Sequence, residues 1–259
     1  MPQRSGRPAG TRLVMASYNI HGCIGTDRRH DPQRIAQVLR EIDADVLGLQ
    51  ELHAYGVGPD ATDEIQYLSA ALGFEVVTGI TFAGPRGAYG IALFSRRPIR
   101  AVRRIDLSVP RREPRCALDI DVTVSCGTLR VITTHLGLAP WERRIQVQRL
   151  TEVIIHDPGH RTVVLGDINE WFFLARTLRQ LGTHFGQAST VRTWPSWRPL
   201  FALDRLWVHP PEALTSVWAH ASPTARRASD HLPLVGVIEL GEPATPQTSE
   251  DGLSPPSEA

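Results

Sequence analysis

Apolar runs that stop on a single polar residue narrow the fold of this 259-residue chain more than any other feature. "RLVMASYN" ends at Asn19, "ADVLGLQE" at Glu51, "TLRVITTH" at His135, and "RTVVLGD" at Asp167 with Asn169 two positions on. "LDRLWV" carries Asp204 inside an apolar stretch, and the triplet Ser229, Asp230, His231 stands in front of "LPLVGVIEL". Runs this short and apolar suit buried strands, and in α/β proteins the reacting groups collect at strand ends and the loops beyond. Amphipathic stretches lie between them. "HDPQRIAQVLREI" offers Asp31 as N-cap, Pro32 in the first turn and Ile35, Val38, Leu39 and Ile42 at helical spacing. "ATDEIQYLSAALG" (closed by Gly73), "APWERRIQVQRLTEVII" and "EWFFLARTLRQLG" predict three more helices. "FEVVTGI", "YGIALFS", "IRAVRRIDL", "CALDIDVTV" and "LTSVWA" predict further strands. Helices interleaved with consecutive strands point to one α/β (α+β) domain with two sheets, expected over residues 12–240. Residues 1–11 and the Pro-, Ser- and Glu-rich 241–259 are expected to be disordered.

Composition removes several chemistries. All 28 basic residues are arginine, so a lysine Schiff base and a P-loop lysine are excluded. A formal net charge of +1 sets up no global field for nucleic acid or a membrane surface. Cys23, Cys116 and Cys126 form no C-x-x-C pair, which argues against a zinc knuckle or a disulfide framework. Neither a signal-peptide core nor a membrane-length apolar run is visible, so a cytoplasmic protein without a transmembrane segment is expected, and a monomer.

"VVLGDINEW" is the most telling stretch. Residues two apart on a strand share a face, so Asp167 and Asn169 would project together, one orienting a water and the other steadying an oxygen that gains charge. The same pair could instead cap a helix beginning at Glu170. Glu51 at a strand end could hold a hard cation, with Asn19 as a neutral oxygen ligand, or could simply leave the sheet into water. A buried Asp204 needs a partner, and His135 and His231 are the candidates.

Taken in order, "SYNIHG", "LGLQE", "YGIALFS", "TTHLG", "LGDIN", "LDRLWV" and "SDH" resemble the endonuclease/exonuclease/phosphatase superfamily of divalent-metal phosphohydrolases, from about residue 12 to 240. Its members include pancreatic-type deoxyribonuclease, abasic-site endonucleases, inositol polyphosphate phosphatases and neutral sphingomyelinases. The resemblance implies a four-layer α/β/β/α sandwich of two packed mixed sheets. It also implies that Glu51 and Asn19 hold Mg²⁺ (or Mn²⁺), with Asp230 near that ion or a second one. Asp167 would polarise the attacking water and Asn169 would donate to the phosphate. Asp204 would orient His231 onto a non-bridging oxygen, and His135 would contact the phosphate or assist the leaving group.

Two segments bear on the substrate. Arg96, Arg97, Arg100, Arg103, Arg104, Arg111, Arg112 and Arg115 face only Asp106 and Glu113 between positions 96 and 115. They suit either an anionic partner or a charged sheet edge, and Arg115, leading into a strand, suits a phosphate clamp. Trp194 and Trp197, separated by "PS", would form a substrate-facing aromatic loop or cover the core. The expected enzyme is a metal-dependent phosphodiesterase acting on a small or lipid-headgroup phosphodiester. The alternatives are a Mg-dependent nuclease acting on DNA and a non-catalytic binding module that has kept the fold.

Overall fold

The computed structural model describes residues 12–55, 62–84, 87–155 and 161–241, so the expected terminal segments lie outside the described residues apart from Gly241. Two sheets stack face to face. The first runs β11 (Leu214–Ala219), β12 (Leu234–Glu239), β1 (Arg12–Asn19), β2 (Val46–Tyr55), β5 (Gly87–Ser95) and β4 (Glu75–Gly84), with β3 (Thr62–Asp63) paired to β2. The second runs β10 (Asp204–His209), β9 (Thr162–Asp167), β8 (Gly127–His135), β7 (Cys116–Val124) and β6 (Ile99–Asp106). Each sheet holds one parallel pair joined through a helix: β1 and β2 through α1 (Pro32–Ile42), β8 and β9 through α3 (Pro140–Ile155). The remaining helices are α2 (Glu64–Leu72), α4 (Arg176–Phe185) and α5 (Ala225–Ala228).

Three separate apolar cores define four layers. Ile35, Val38 and Leu39 of α1 and Leu68 of α2 pack on Tyr18, Leu47 and Phe94 of the first sheet. Met15, Leu93, Val131, Leu165 and Leu206 fill the seam between the sheets. Val147 and Leu150 of α3 and Leu181 and Phe185 of α4 pack on Ile132, Val164 and Trp207 of the second sheet. The α/β/β/α order follows because each sheet is buried on both faces.

The twofold period of the strands then aims the polar ends. Leu13 and Met15 face the seam, and so, by parity, does Asn19; Leu129 and Val131 carry the same parity to His135, and Val163 and Leu165 to Asp167. Glu51 departs from its expected place. β2 does not end there but runs on to Tyr55, and Leu47 and Leu49 face the helical layer, so an unbroken strand would turn Glu51 that way too. A bulge between Leu49 and Leu52, with Glu51 at φ +58°, resets the register and re-aims the side chain. Just before it, Gly48 permits close approach of the sheets: a Cβ there would lie 2.2 Å from a Leu165 methyl and 2.4 Å from Thr133 Oγ1.

The helix expected from Glu170 begins instead at Arg176. Glu170 is buried and turned inward, accepting from Arg143 Nε (3.2 Å) and Thr177 Oγ1 (2.7 Å), so residues 170–175 form an irregular apolar loop. The capping alternative for Asp167 and Asn169 fails for the same reason, since the cap position of α4 is Ala175.

Candidate functional site

The site lies where the C-terminal ends of the two parallel pairs meet across the seam. Register sets one row on the second sheet: Asp204 is the partner of Asp167 on β9, and His135 is its partner on β8. Gly166 makes this row possible, because a Cβ there would lie 2.0 Å from the carbonyl oxygen of Thr134. From the first sheet, Asn19 Nδ2 donates to Glu51 Oε1 (2.9 Å) and to Asp167 Oδ2 (3.1 Å), tying residues 148 positions apart. Its Oδ1 accepts from the His21 backbone N–H at 3.0 Å. Asn169 is not on the strand. It follows the end of β9 at φ +53°, its backbone N–H donates to Asp167 Oδ1 (2.9 Å), and Nδ2 donates to the Leu136 carbonyl (2.9 Å).

Two histidines converge on Asp167 in different charge states. His135 Nδ1 lies 3.1 Å from Arg115 Nη1, and since a guanidinium can only donate, Nδ1 accepts and the proton of the neutral ring sits on Nε2. Burial, then the Arg115 charge, push the His135 pKa well down and keep the ring neutral. Its Nε2 lies 3.6 Å from Asp167 Oδ2. His231 Nδ1 donates to Asp204 Oδ2 at 2.8 Å, and Thr193 Oγ1 donates to the same oxygen. Burial pulls the His231 pKa down, but Asp204 and Asp167 outweigh it and hold it up at about 10, so this ring is an imidazolium at neutral pH. Its Nε2 lies 3.7 Å from Asp167 Oδ2. Burial raises the Asp167 carboxyl to about 6. Two Nε2–H donors and one carboxylate oxygen thus face the same point.

The chemistry of the donor set fits a hard cation. Glu51 Oε2 has no hydrogen-bond partner among the described residues, and the ring facing Oε1, at 4.0 Å, is the neutral His135. A carboxylate open to a cavity without a cationic neighbour is a natural oxygen ligand for such an ion. Asp167, Asp204 and His231 also gather ligand atoms within 4.8 Å of one another, and within that group His231 Nδ1 is hydrogen-bonded to Asp204 Oδ2.

A cavity of about 780 Å³ opens over these groups, lined by Asn19, Glu51, Arg115, His135, Asp167, Asn169, Trp194, Asp230 and His231. Asp204 stands behind His231 rather than on the wall, and Trp197 lies outside the lining, 65% exposed. Trp194 reaches the cavity by donating Nε1–H to Asp230 Oδ2 at 3.2 Å. Tyr89, His53, Trp171 and Leu138 also line it, and sequence reasoning passed over them. Trp171 had a signal: "WFFL" puts four large apolar residues in a row, which no single helix face can bury.

Most of the arginine-rich stretch is used within the fold. Arg103 grips Asp119 (2.9 Å) and Asp121 (2.6 Å), Arg97 pairs with Asp45 (3.2 Å), Arg96 with Asp43, and Arg100 Nε donates to Thr123 (2.9 Å). β6, which carries Arg100, Arg103 and Arg104, is an edge strand, where charge discourages sheet-to-sheet pairing.

Comparison with known proteins agrees with this geometry. Residues 16–231 match the model of the Endonuclease/Exonuclease/phosphatase family. The chain is 29% identical over 241 residues to the uncharacterized protein YbhP of Escherichia coli (strain K12), covering 86% of this chain and 95% of that one. Among solved structures, an endonuclease/exonuclease/phosphatase from Beutenbergia cavernae DSM 12333 superposes with a TM-score of 0.73 at 22% identity, covering 89% of this chain and 72% of that one. A mannosyl-6-phosphatase, Bt3783, from Bacteroides thetaiotaomicron VPI-5482 gives 0.68 at 16% identity, covering 87% of this chain and 99% of that one.

Proposed function

Because the chain belongs to the Endonuclease/Exonuclease/phosphatase family, we propose that it is a divalent-metal-dependent phosphodiesterase acting on a small or lipid-headgroup phosphodiester. The observation that carries this reading is the convergence of His135 Nε2 (3.6 Å) and His231 Nε2 (3.7 Å) on Asp167 Oδ2. A phosphate placed there meets two N–H donors, and a water beside it meets a carboxylate held in place by Asn19 and the Asn169 backbone. Phosphoryl transfer is governed by positioning and charge stabilisation, which these groups supply.

In this reading Asp167 orients the water and takes its proton. His231, kept cationic by Asp204, and His135, kept in its Nε2–H form by Arg115, donate to non-bridging oxygens. The second amide hydrogen of Asn169 serves the same anion. Arg115 acts through His135, because its Nη1 is shared among His135, Tyr89 (3.4 Å) and Glu113 (3.2 Å). Glu51, with Asn19, would hold Mg²⁺ or Mn²⁺, and Asp230, which also lines the cavity, would stand near that ion or a second one. A cation held there would supply charge neutralisation for the phosphate and the departing oxygen.

The spent arginines of the 96–115 segment favour a compact substrate over long DNA, which would need a continuous track of phosphate contacts. The free thiols Cys23, Cys116 and Cys126 suit a reducing, cytoplasmic setting. Turnover of bis-p-nitrophenyl phosphate, phospholipid and plasmid DNA, each with Mg²⁺, Mn²⁺ or excess EDTA, tests the proposal. Metal-dependent hydrolysis of the small diester is expected. Full activity in chelator would remove the metal, plasmid nicking that falls steeply with salt would make the protein a nuclease, and inertness in every arm would leave a binding module.

A further inference from the structure

The loop after the Asp167–Asn169 turn exposes apolar side chains in an unbroken row. Phe172 is 71% exposed, Phe173 72% and Leu174 69%. Single exposed apolar residues are ordinary, but a contiguous group marks an interaction surface. In the neighbouring loop before and at the start of α3, Leu138 is 68% exposed and Trp141 45%.

These loops are held together from below. Arg143, fully buried, donates from Nη1 to the carbonyls of Leu138 (2.6 Å) and Gly137 (3.3 Å), and from Nε to Glu170 Oε2 (3.2 Å). Glu170 in turn accepts from the Phe172 backbone N–H at 3.3 Å, and the Ala175 N–H closes a turn onto the Phe172 carbonyl at 3.0 Å. Trp171 stacks edge-on against Trp194 and Phe201, with ring centroids 5.2 and 4.9 Å apart. A buried ion pair therefore ties the two neighbouring loops into one apolar rim beside the mouth.

Positive charge accompanies it. The Arg112 guanidinium sits 5.0 Å over the Trp141 ring, and Arg176 is exposed where the apolar loop enters α4. Neither forms an ion pair among the described residues. Aromatic and aliphatic tips flanked by free arginines match the boundary between lipid headgroups and acyl chains, where indole and phenyl rings settle and arginine meets phosphate.

Trp171 and Leu138 belong both to the rim and to the cavity lining, so whatever docks on the rim also covers the mouth. A protein or a second copy of this chain seated there would shut out substrate. A bilayer would instead present phosphodiesters through the very surface it touches. We propose that this rim docks on a phospholipid bilayer containing anionic lipid, and that the cavity draws its substrate from that surface; the second clause rests on the phosphodiesterase reading above.

Vesicle flotation with the full chain separates the two ideas, because it needs no turnover. Wild-type protein should float with vesicles of phosphatidylcholine containing about 30% phosphatidylglycerol, and less with phosphatidylcholine alone. The double variant Phe172→Ser, Phe173→Ser should lose about tenfold or more of vesicle affinity, and Arg112→Ser about fivefold on the anionic vesicles. Both variants should melt like wild type and hydrolyse bis-p-nitrophenyl phosphate at the wild-type rate. Wild-type protein that stays with the bulk solution, or a double variant that floats as well as wild type, overturns the bilayer. So does a wild-type dimer that becomes monomeric in the double variant, which would make the rim a contact between copies. Flotation as expected without hydrolysis of the soluble diester would instead sink the phosphodiesterase reading and leave the docking surface standing.

Discussion

On the cavity floor Asn19, His135, Asp167 and His231 are polar and buried; on the rim Phe172, Phe173 and Leu174 are apolar and exposed. Each region inverts the ordinary burial rule, and the two do so by different means. The floor is over-determined: every polar group named there has at least two partners reaching it from different strands or loops. The rim is held by a smaller set of contacts: the Arg143–Glu170 ion pair beneath it, the turn that Ala175 closes on the Phe172 carbonyl, and Trp171 against Trp194 and Phe201. The contrast shows that the polar groups of the floor are held by hydrogen bonds converging from both sheets, whereas the exposed tips of Phe172, Phe173 and Leu174 are held through their backbone and the Arg143–Glu170 pair beneath them.

The largest change should come from breaking the floor. Asp167→Asn keeps the shape but removes the proton acceptor, and kcat/KM on a soluble diester should fall about 10²–10⁴-fold. A loss under tenfold would mean that another group takes the proton. Arg143→Met should break the ion pair and leave Glu170 buried without its charge partner, lowering stability by about 3–5 kcal/mol in urea unfolding. The residual folded protein should lose vesicle flotation before it loses turnover of a soluble diester; simultaneous loss would mean that floor and rim form one unit.

Within the floor, Asp204→Asn should reduce the rate about 10–100-fold, and the double change with His231→Ala should be little worse than His231→Ala alone. Independent, multiplicative losses would separate the two side chains. The pH profile carries the same test. His231 acts as a cation with its pKa held at about 10, so activity should fall as pH rises through about 10. In Asp204→Asn, burial prevails over the remaining charge and the alkaline limb should move to lower pH. A limb that stays in place would assign it to another group. The smallest effect belongs to the rim. Leu138→Ser, at a site facing water, should leave stability within about 0.5 kcal/mol of wild type.

Much of the floor was readable in advance, because strands buried on both faces leave few places for a polar residue. Asn19, His135 and Asp167 could be picked out as interruptions of apolar runs, but the twofold period read onto Asp167 and Asn169 does not hold, because Asn169 lies beyond the end of β9. Glu51 could be picked out but not aimed, since its direction depends on a bulge created by pairing with β5, and the local sequence carries no trace of that register shift. The start of α4 was misplaced because "EWFFLARTLRQLG" has enough helical pattern to continue backwards to Glu170. What stops it is Arg143, 27 residues away, capturing that carboxylate. The rim went unseen because a large aromatic residue is assigned to the core by default, and only the folded structure reveals which ones the core has no room for.

The bond from Asn19 to Asp167 joins β1 of one sheet to β9 of the other. Neither sheet alone carries both carboxylates and both histidines. A chain that has formed its sheets but docked them one residue out of step would keep its secondary structure, its compactness and every reacting side chain, and would still be inert. Recovery of turnover during refolding should therefore lag recovery of the far-ultraviolet circular dichroism signal, making activity a report on the mating of two surfaces rather than on the making of either.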